Sequence, residues 1–107
     1  MAEHEFVKVA EVGDVALGQM TMVRLKQDQI LLANVAGNFY AINNMCSHKM
    51  GRLAKGRLDD IEVVCPFHQA RFSVVTGEAL SSPARKSVRT YEVRISGDDV
   101  LISSTIV

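Results

Sequence analysis

Both cysteines of this chain and two of its three histidines fall in two short segments, Cys46-Ser47-His48 and Cys65-Pro66-Phe67-His68, with sixteen residues between His48 and Cys65. Thiolates are soft ligands and imidazoles suit zinc, copper and iron, so this set points to a metal ion or an iron–sulfur cluster. Residue type leaves the choice open, because two cysteines and two histidines also complete a tetrahedral zinc shell. Spacing separates the two: zinc modules pair like with like, whereas here each segment carries one Cys and one His. A disulfide between Cys46 and Cys65 would leave the paired histidines without a purpose.

Other chemistries lack their residues. With His48 and His68 used, only His4 remains, too few for a two-histidine-one-carboxylate iron oxygenase or a Ser-His-Asp triad. Gly51 and Gly56 have phosphate-loop spacing, but Arg57-Leu58 follow in place of Lys and Ser/Thr.

The scaffold that positions the two segments reads as all-β. Phe6 to Ala10 and Met20 to Leu25 are β-rich runs, and Gln29 to Val35 and Asn38 to Ile42 flank Ala36-Gly37, with Gly37-Asn38 as the hairpin signal. These four runs are expected to form one antiparallel meander. Lys49 to Asp60 reads as irregular, with at most one helical turn at Leu53-Ala54-Lys55. Ile61 to Cys65 and Arg71 to Val75 flank the second segment, and Thr76-Gly77 turns the chain. Ser81 to Ala84 reads as a loop, Thr90 to Ser96 as a strand, and Gly97-Asp98-Asp99 as a turn into Val100-Leu101-Ile102. Tyr40 and Tyr91 sit at strand positions and are expected to pack in the core.

The 107 residues suit one domain, spanning 1–107, with a loop-rich subdomain at about 46–77 inserted in a β base. Apolar residues make up 48% of the chain, too many for a disordered one, yet no run approaches a membrane span. The acidic start is unlike a signal peptide, so a cytoplasmic protein is expected. Net charge is zero, but between Cys46 and Arg89 positive charges exceed negative ones by four. The chain should therefore have a polar axis. Nucleic acid is not the expected partner, because neither an aromatic ladder nor a basic helix accompanies these charges.

The mixed C-x-H and C-x-x-H pairs, with Pro66 after the second cysteine, resemble the Rieske [2Fe–2S] family. The resemblance extends from the first strands through Gly37-Asn38-Phe39-Tyr40-Ala41-Ile42 to Thr76-Gly77-Glu78-Ala79 and the closing strands. It implies a fold of small antiparallel sheets, a base domain with a loop-rich cluster-binding subdomain. It also implies that Cys46 and Cys65 bind the inner iron and His48 and His68 the outer one. Around them the resemblance places a shell of Met50, Gly51, Pro66, Phe67, Gln69, Ala70, Phe72 and Pro83. Met50 would shield the cluster, and Gln69 stands where many members have glycine.

Members that oxidise quinols carry a further disulfide-bonded cysteine in each loop, where this chain has Gly51 and Phe67. They also carry a serine and a tyrosine that donate hydrogen bonds to sulfur, where it has Ala70 and Phe72. Lacking those donors, it is expected in the lower half of the Rieske range of about −150 to +300 mV. The resemblance is then to soluble ferredoxins that pass single electrons from an NAD(P)H-dependent flavoprotein reductase to a terminal oxygenase, carriers rather than enzymes. Ferric iron should acidify the imidazoles of His48 and His68, so the potential is expected to fall at alkaline pH. Lys49, Arg52, Lys55, Arg57 and Arg71 would include contacts that steer the tip to an acidic partner. The alternative is a cluster-bearing small subunit of a nitrite-reductase-like or arsenite-oxidase-like enzyme.

Overall fold

The computed structural model describes residues 6–25, 28–44, 52–66, 70–80 and 88–103. In chain order the strands are β1 (Phe6–Glu11), β2 (Met20–Leu25), β3 (Asp28–Val35), β4 (Asn38–Asn43), β5 (Arg57–Asp59), β6 (Glu62–Val64), β7 (Arg71–Ser73), β8 (Thr90–Tyr91), β9 (Val93–Ser96) and β10 (Asp99–Ser103). They form three antiparallel sheets, ordered β1-β10-β9, β2-β3-β4-β8 and β5-β6-β7. Among the described residues helical structure is limited to 3₁₀ turns at Val12–Asp14 and Leu53–Lys55, and no helix is long and apolar enough to cross a membrane.

The all-β expectation holds, and its strand pairing needs three corrections. First, β1 does not extend the meander of β2, β3 and β4; it pairs with β10, with a register shift between Lys8 and Ala10. Lys8 reinforces that choice by reaching Asp99 at 3.1 Å and Glu11 at 3.2 Å, which raises its pKa above the ordinary lysine value. Second, Arg57–Asp59 is a strand rather than irregular chain, turned back on β6 through Asp60 at φ 59°. Aspartate is among the few residues that tolerate that backbone region. Third, the run from Thr90 to Ser96 is divided at Glu92: β8 pairs with β4 and β9 with β10.

The β3–β4 hairpin also differs in detail. Its two turn residues are Ala36 (φ 54°) and Gly37 (φ 93°), and Asn38 already pairs with Val35. Asn34 supports the strained alanine: its buried side chain accepts the Gly37 N–H at 2.9 Å and donates to the Val15 carbonyl at 2.8 Å.

Strand β3 explains why Ile30-Leu31-Leu32-Ala33 is apolar without alternating. Ile30 and Leu32 enter a core with Val15, Leu25, Ala41, Tyr91, Val100 and Ile102. Leu31 and Ala33 enter a second core with Ile42, Leu53, Val63, Cys65, Phe72 and Val74. Successive side chains of a strand point to opposite faces, so a strand buried on both faces must be apolar throughout. The second core joins the base to the β5-β6-β7 sheet, and Cys65 lies in it. Tyr91 packs in the first core, as expected, and its hydroxyl donates to Asp28 at 3.2 Å and accepts from Asn43 at 3.3 Å. Burial first, and then the Asp28 carboxylate, hold its pKa above the ordinary phenol value.

Candidate metal centre

The second ligand segment grows out of the β6–β7 hairpin. Val63 faces Phe72 and Val64 faces Arg71, and the next step of the ladder is the Cys65 N–H donating to the Ala70 carbonyl at 2.7 Å. This bond closes the base of a loop that leaves the sheet at Cys65 and returns at Ala70. Cys65, Ala70 and Phe72 are fully buried, and Pro66 is half-buried. The other edge of β7 is held as well: Phe72 bridges to Ala79, and the Leu80 N–H donates to the Arg71 carbonyl at 2.8 Å.

The first ligand segment leaves the sheet after β4, and Asn44 fixes its stem. This buried residue takes the Leu53 N–H on its backbone carbonyl at 2.7 Å and the Ala54 N–H on its side-chain carbonyl at 2.8 Å. Its own N–H donates to the Gln29 carbonyl at 2.9 Å. One asparagine therefore ties together the chain entering the loop, the chain leaving it and β3. The two stems meet at Gly56, where a Cβ would collide with the Val64 carbonyl and stand 3.2 Å from Pro66 Cδ.

Cys46, His48, Met50, Gly51, Phe67, His68, Gln69 and Pro83, with Lys49, lie outside the described residues. Cys65 alone of the four expected ligands can be placed, and its surroundings fit an iron–sulfur cluster. A thiolate inside an apolar core is costly unless a cation compensates it, and ligation to iron supplies that compensation. The positions that would hold hydroxyl donors are occupied by buried Ala70 and Phe72, whose side chains have no proton to donate to sulfur.

The basic residues divide into two groups. Arg71 bridges Asp59 at 3.1 Å and Glu62 at 3.2 Å, linking all three strands of its sheet, and Arg57 lies 3.8 Å from Asp59. The hydrogen bond to Asp59, then that to Glu62, raises the Arg71 pKa further above the already high guanidinium value. Arg52 and Lys55 are exposed and form no ion pair among the described residues.

Asn44 and Gly56 are the site residues that the sequence reading did not weigh. Asn44 carried a usable signal, since an asparagine ending a strand readily bonds nearby backbone groups. Gly56 was legible only as half of a false phosphate-loop spacing.

The described stems, at Asn44 and Arg52 for one Cys-His segment and at Cys65 and Ala70 for the other, sit on small antiparallel sheets, the architecture of a small all-β metal-binding domain. The Rieske [2Fe-2S] domain model matches residues 5–92. The ferredoxin component of biphenyl 2,3-dioxygenase from Rhodococcus jostii (strain RHA1) is 41% identical over 95 residues, covering 89% of each chain. The ferredoxin of carbazole 1,9a-dioxygenase from Nocardioides aromaticivorans IC177 superposes with a TM-score of 0.91 at 30% identity, covering 94% of this chain and 98% of that one. A ferredoxin from a complex of reduced oxygenase and oxidised ferredoxin in carbazole 1,9a-dioxygenase gives 0.90 at 29% identity, with 95% of both chains covered. This chain belongs to the Rieske [2Fe–2S] domain family, and its cofactor is a Rieske-type [2Fe–2S] cluster. Nitrite reductase small subunits share the architecture with TM-scores of 0.78 and 0.86, but at 19% and 18% identity that likeness is one of fold alone.

Proposed function

We propose that this chain is the one-electron carrier of an aromatic-ring dioxygenase system, accepting electrons from an NAD(P)H-dependent flavoprotein reductase and delivering them to a terminal oxygenase. The observation that carries this reading is identity of 41% to a dioxygenase ferredoxin component across nearly the whole chain. A carrier needs no catalytic residue of its own. When bound, the cluster supplies a site that gains and loses one electron without bond rearrangement.

The chain's own residues do the rest. Cys46 and Cys65 would hold the inner iron and His48 and His68 the outer one, with residues 46–77 forming the cluster-binding part of a single domain. Asn44 and the Cys65–Ala70 backbone bond keep the loop stems in place through the redox cycle. The second core excludes water from the Cys65 side. The protein would work dissolved in the cytoplasm, docking transiently with each partner. The nitrite-reductase-like role is less well supported, because the nearer relatives are ferredoxin components.

The test is the spectrum of the purified protein. A red-brown oxidised form, a Rieske-type EPR signal on reduction, and uptake of one electron per chain are expected. A colourless zinc protein would overturn the reading.

Potential is set by what Ala70 and Phe72 lack. Placing a hydroxyl in this buried region with Phe72→Tyr should stabilise the reduced state by about 1.5–3 kcal/mol, the worth of a hydrogen bond to a charged group. For one electron this raises the midpoint by roughly 60–130 mV. Redox titration reads the shift directly, and an unchanged midpoint with an intact cluster would show that position 72 does not reach sulfur.

A further inference from the structure

A cleft of about 340 Å³ lies between β2 and the Leu53–Lys55 turn. Met20, Thr21 and Met22 of β2 form one wall and Ala54 the other, with Arg52 and Lys55 at its rim. Strand β2 is the outer strand of its sheet, so this wall is an edge rather than a covered face. The buried Asn44 also lines the cleft, and Asn44 and Arg52 flank residues 45–51, the loop that carries Cys46 and His48. Two of the residues lining the cleft are therefore the described stems of the first ligand segment.

Charge distinguishes this place from the rest of the basic face. Arg57 and Arg71 share Asp59 and Glu62, so their charge is largely spent within the β5-β6-β7 sheet. Arg52 and Lys55 have no such acid among the described residues, and they flank a cleft whose walls are partly made by flexible methionine side chains. Clefts lined by one sign of charge focus the field and raise the local concentration of the opposite sign. Thioether side chains adapt their packing to whatever enters.

We propose that this cleft is the docking point for the electron acceptor, whose acidic face sets carboxylates against Arg52 and Lys55, while Arg71 clamps the strands of its sheet and Arg57 pairs with Asp59 of its own strand. The inference rests on the electron-carrier reading above and adds to it which side of the molecule meets the acceptor and with what chemistry. In the transfer itself one electron leaves the reduced protein and reduces the acceptor, and no bond is made or broken.

The experiment follows oxidation of the reduced holoprotein by stopped flow with two acceptors of opposite charge, ferricyanide (a trianion) and hexaammineruthenium(III) (a trication). Arg52→Gln/Lys55→Gln should slow the ferricyanide reaction on the order of tenfold at low salt and flatten its ionic-strength dependence. The ruthenium reaction should not slow. Arg57→Gln/Asp59→Asn, which removes that pair together and leaves the net charge unchanged, should change the ferricyanide rate by less than about twofold. Arg52→Gln/Lys55→Gln as fast as the wild type, or Arg57→Gln/Asp59→Asn slowed to the same degree as Arg52→Gln/Lys55→Gln, would overturn the proposal. Each variant is first checked for its oxidised visible spectrum, its reduced EPR signal and its midpoint potential. A wild-type protein without those signatures fails as a Rieske carrier and takes the cleft with it. Intact signatures with the wrong rate pattern overturn the cleft alone.

Discussion

Cys65→Ser is expected to abolish stable cluster binding while leaving the base of the molecule folded. Cys65 is fully buried in the core that joins the base to the β5-β6-β7 sheet, and its backbone N–H closes the second loop through Ala70. The substitution keeps that backbone bond and the approximate volume but replaces a soft sulfur ligand with a hydroxyl. Loss of groups that merely orient a ligand commonly costs 10–100-fold in metal affinity, so loss of the ligand itself should cost at least about 100-fold. The purified variant should carry little iron or inorganic sulfide and lack the visible bands. The β-sheet circular dichroism should persist, because the first core and seven of the strands lie outside the β5-β6-β7 sheet. Full iron and sulfide content in this variant would remove Cys65 from the ligand set.

The same substitution should also lower thermal stability by more than a hydroxyl in a core would. Metal binding that depends on the folded arrangement contributes its free energy to folding. Comparing the variant with wild-type protein stripped of iron separates the two effects. Similar melting temperatures for both would mean that the cluster, rather than the packing of Cys65, supplies the difference.

What the sequence made legible was local. The hairpin of β3 and β4, the Leu53–Lys55 turn and the closing β9–β10 pair follow from alternation, β-branched residues and turn chemistry over a few residues. Strand partners across long separations were not legible. Phe6 pairs with Ser103, and no pattern in either run names the other. The divided strand at Glu92 escaped for a related reason: Tyr91 and Val93 both suit a strand, and only the positions of β4 and β10 assign them to different sheets. Strand β5 escaped because Arg57-Leu58-Asp59 contains two charged residues, and its pairing comes from β6 rather than from its own propensity. At the site, the family was legible because mixed Cys-His spacing is the kind of pattern that the geometry of a metal centre imposes. Asn44 could have been weighed, whereas the close approach of the two stems at Gly56 is a property of the tertiary fold.

That approach makes Gly56→Ala a strongly damaging single-methyl substitution. The added Cβ would overlap the Val64 carbonyl, a backbone group fixed in β6 that cannot rotate aside, and would crowd Pro66 Cδ at 3.2 Å. The Gly56 N–H is also fixed, donating to the Leu53 carbonyl at 2.9 Å, so the turn cannot withdraw without losing a bond. Relief requires the first stem to move off the second, which pulls Leu53 from the core it shares with Val63 and Cys65. Overpacking of this kind costs about 3 kcal/mol, or roughly 10–20 °C in melting temperature for a domain of this size. Cluster content should fall with it, because the stems that separate are those of the two ligand loops. Gly13→Ala is the matched control, since a Cβ there meets nothing within 4 Å. Its expected effect is within about 0.5 kcal/mol, as for most surface substitutions. If the two alanine variants melt together and retain equal iron, the contact at Gly56 does not hold the loops in register.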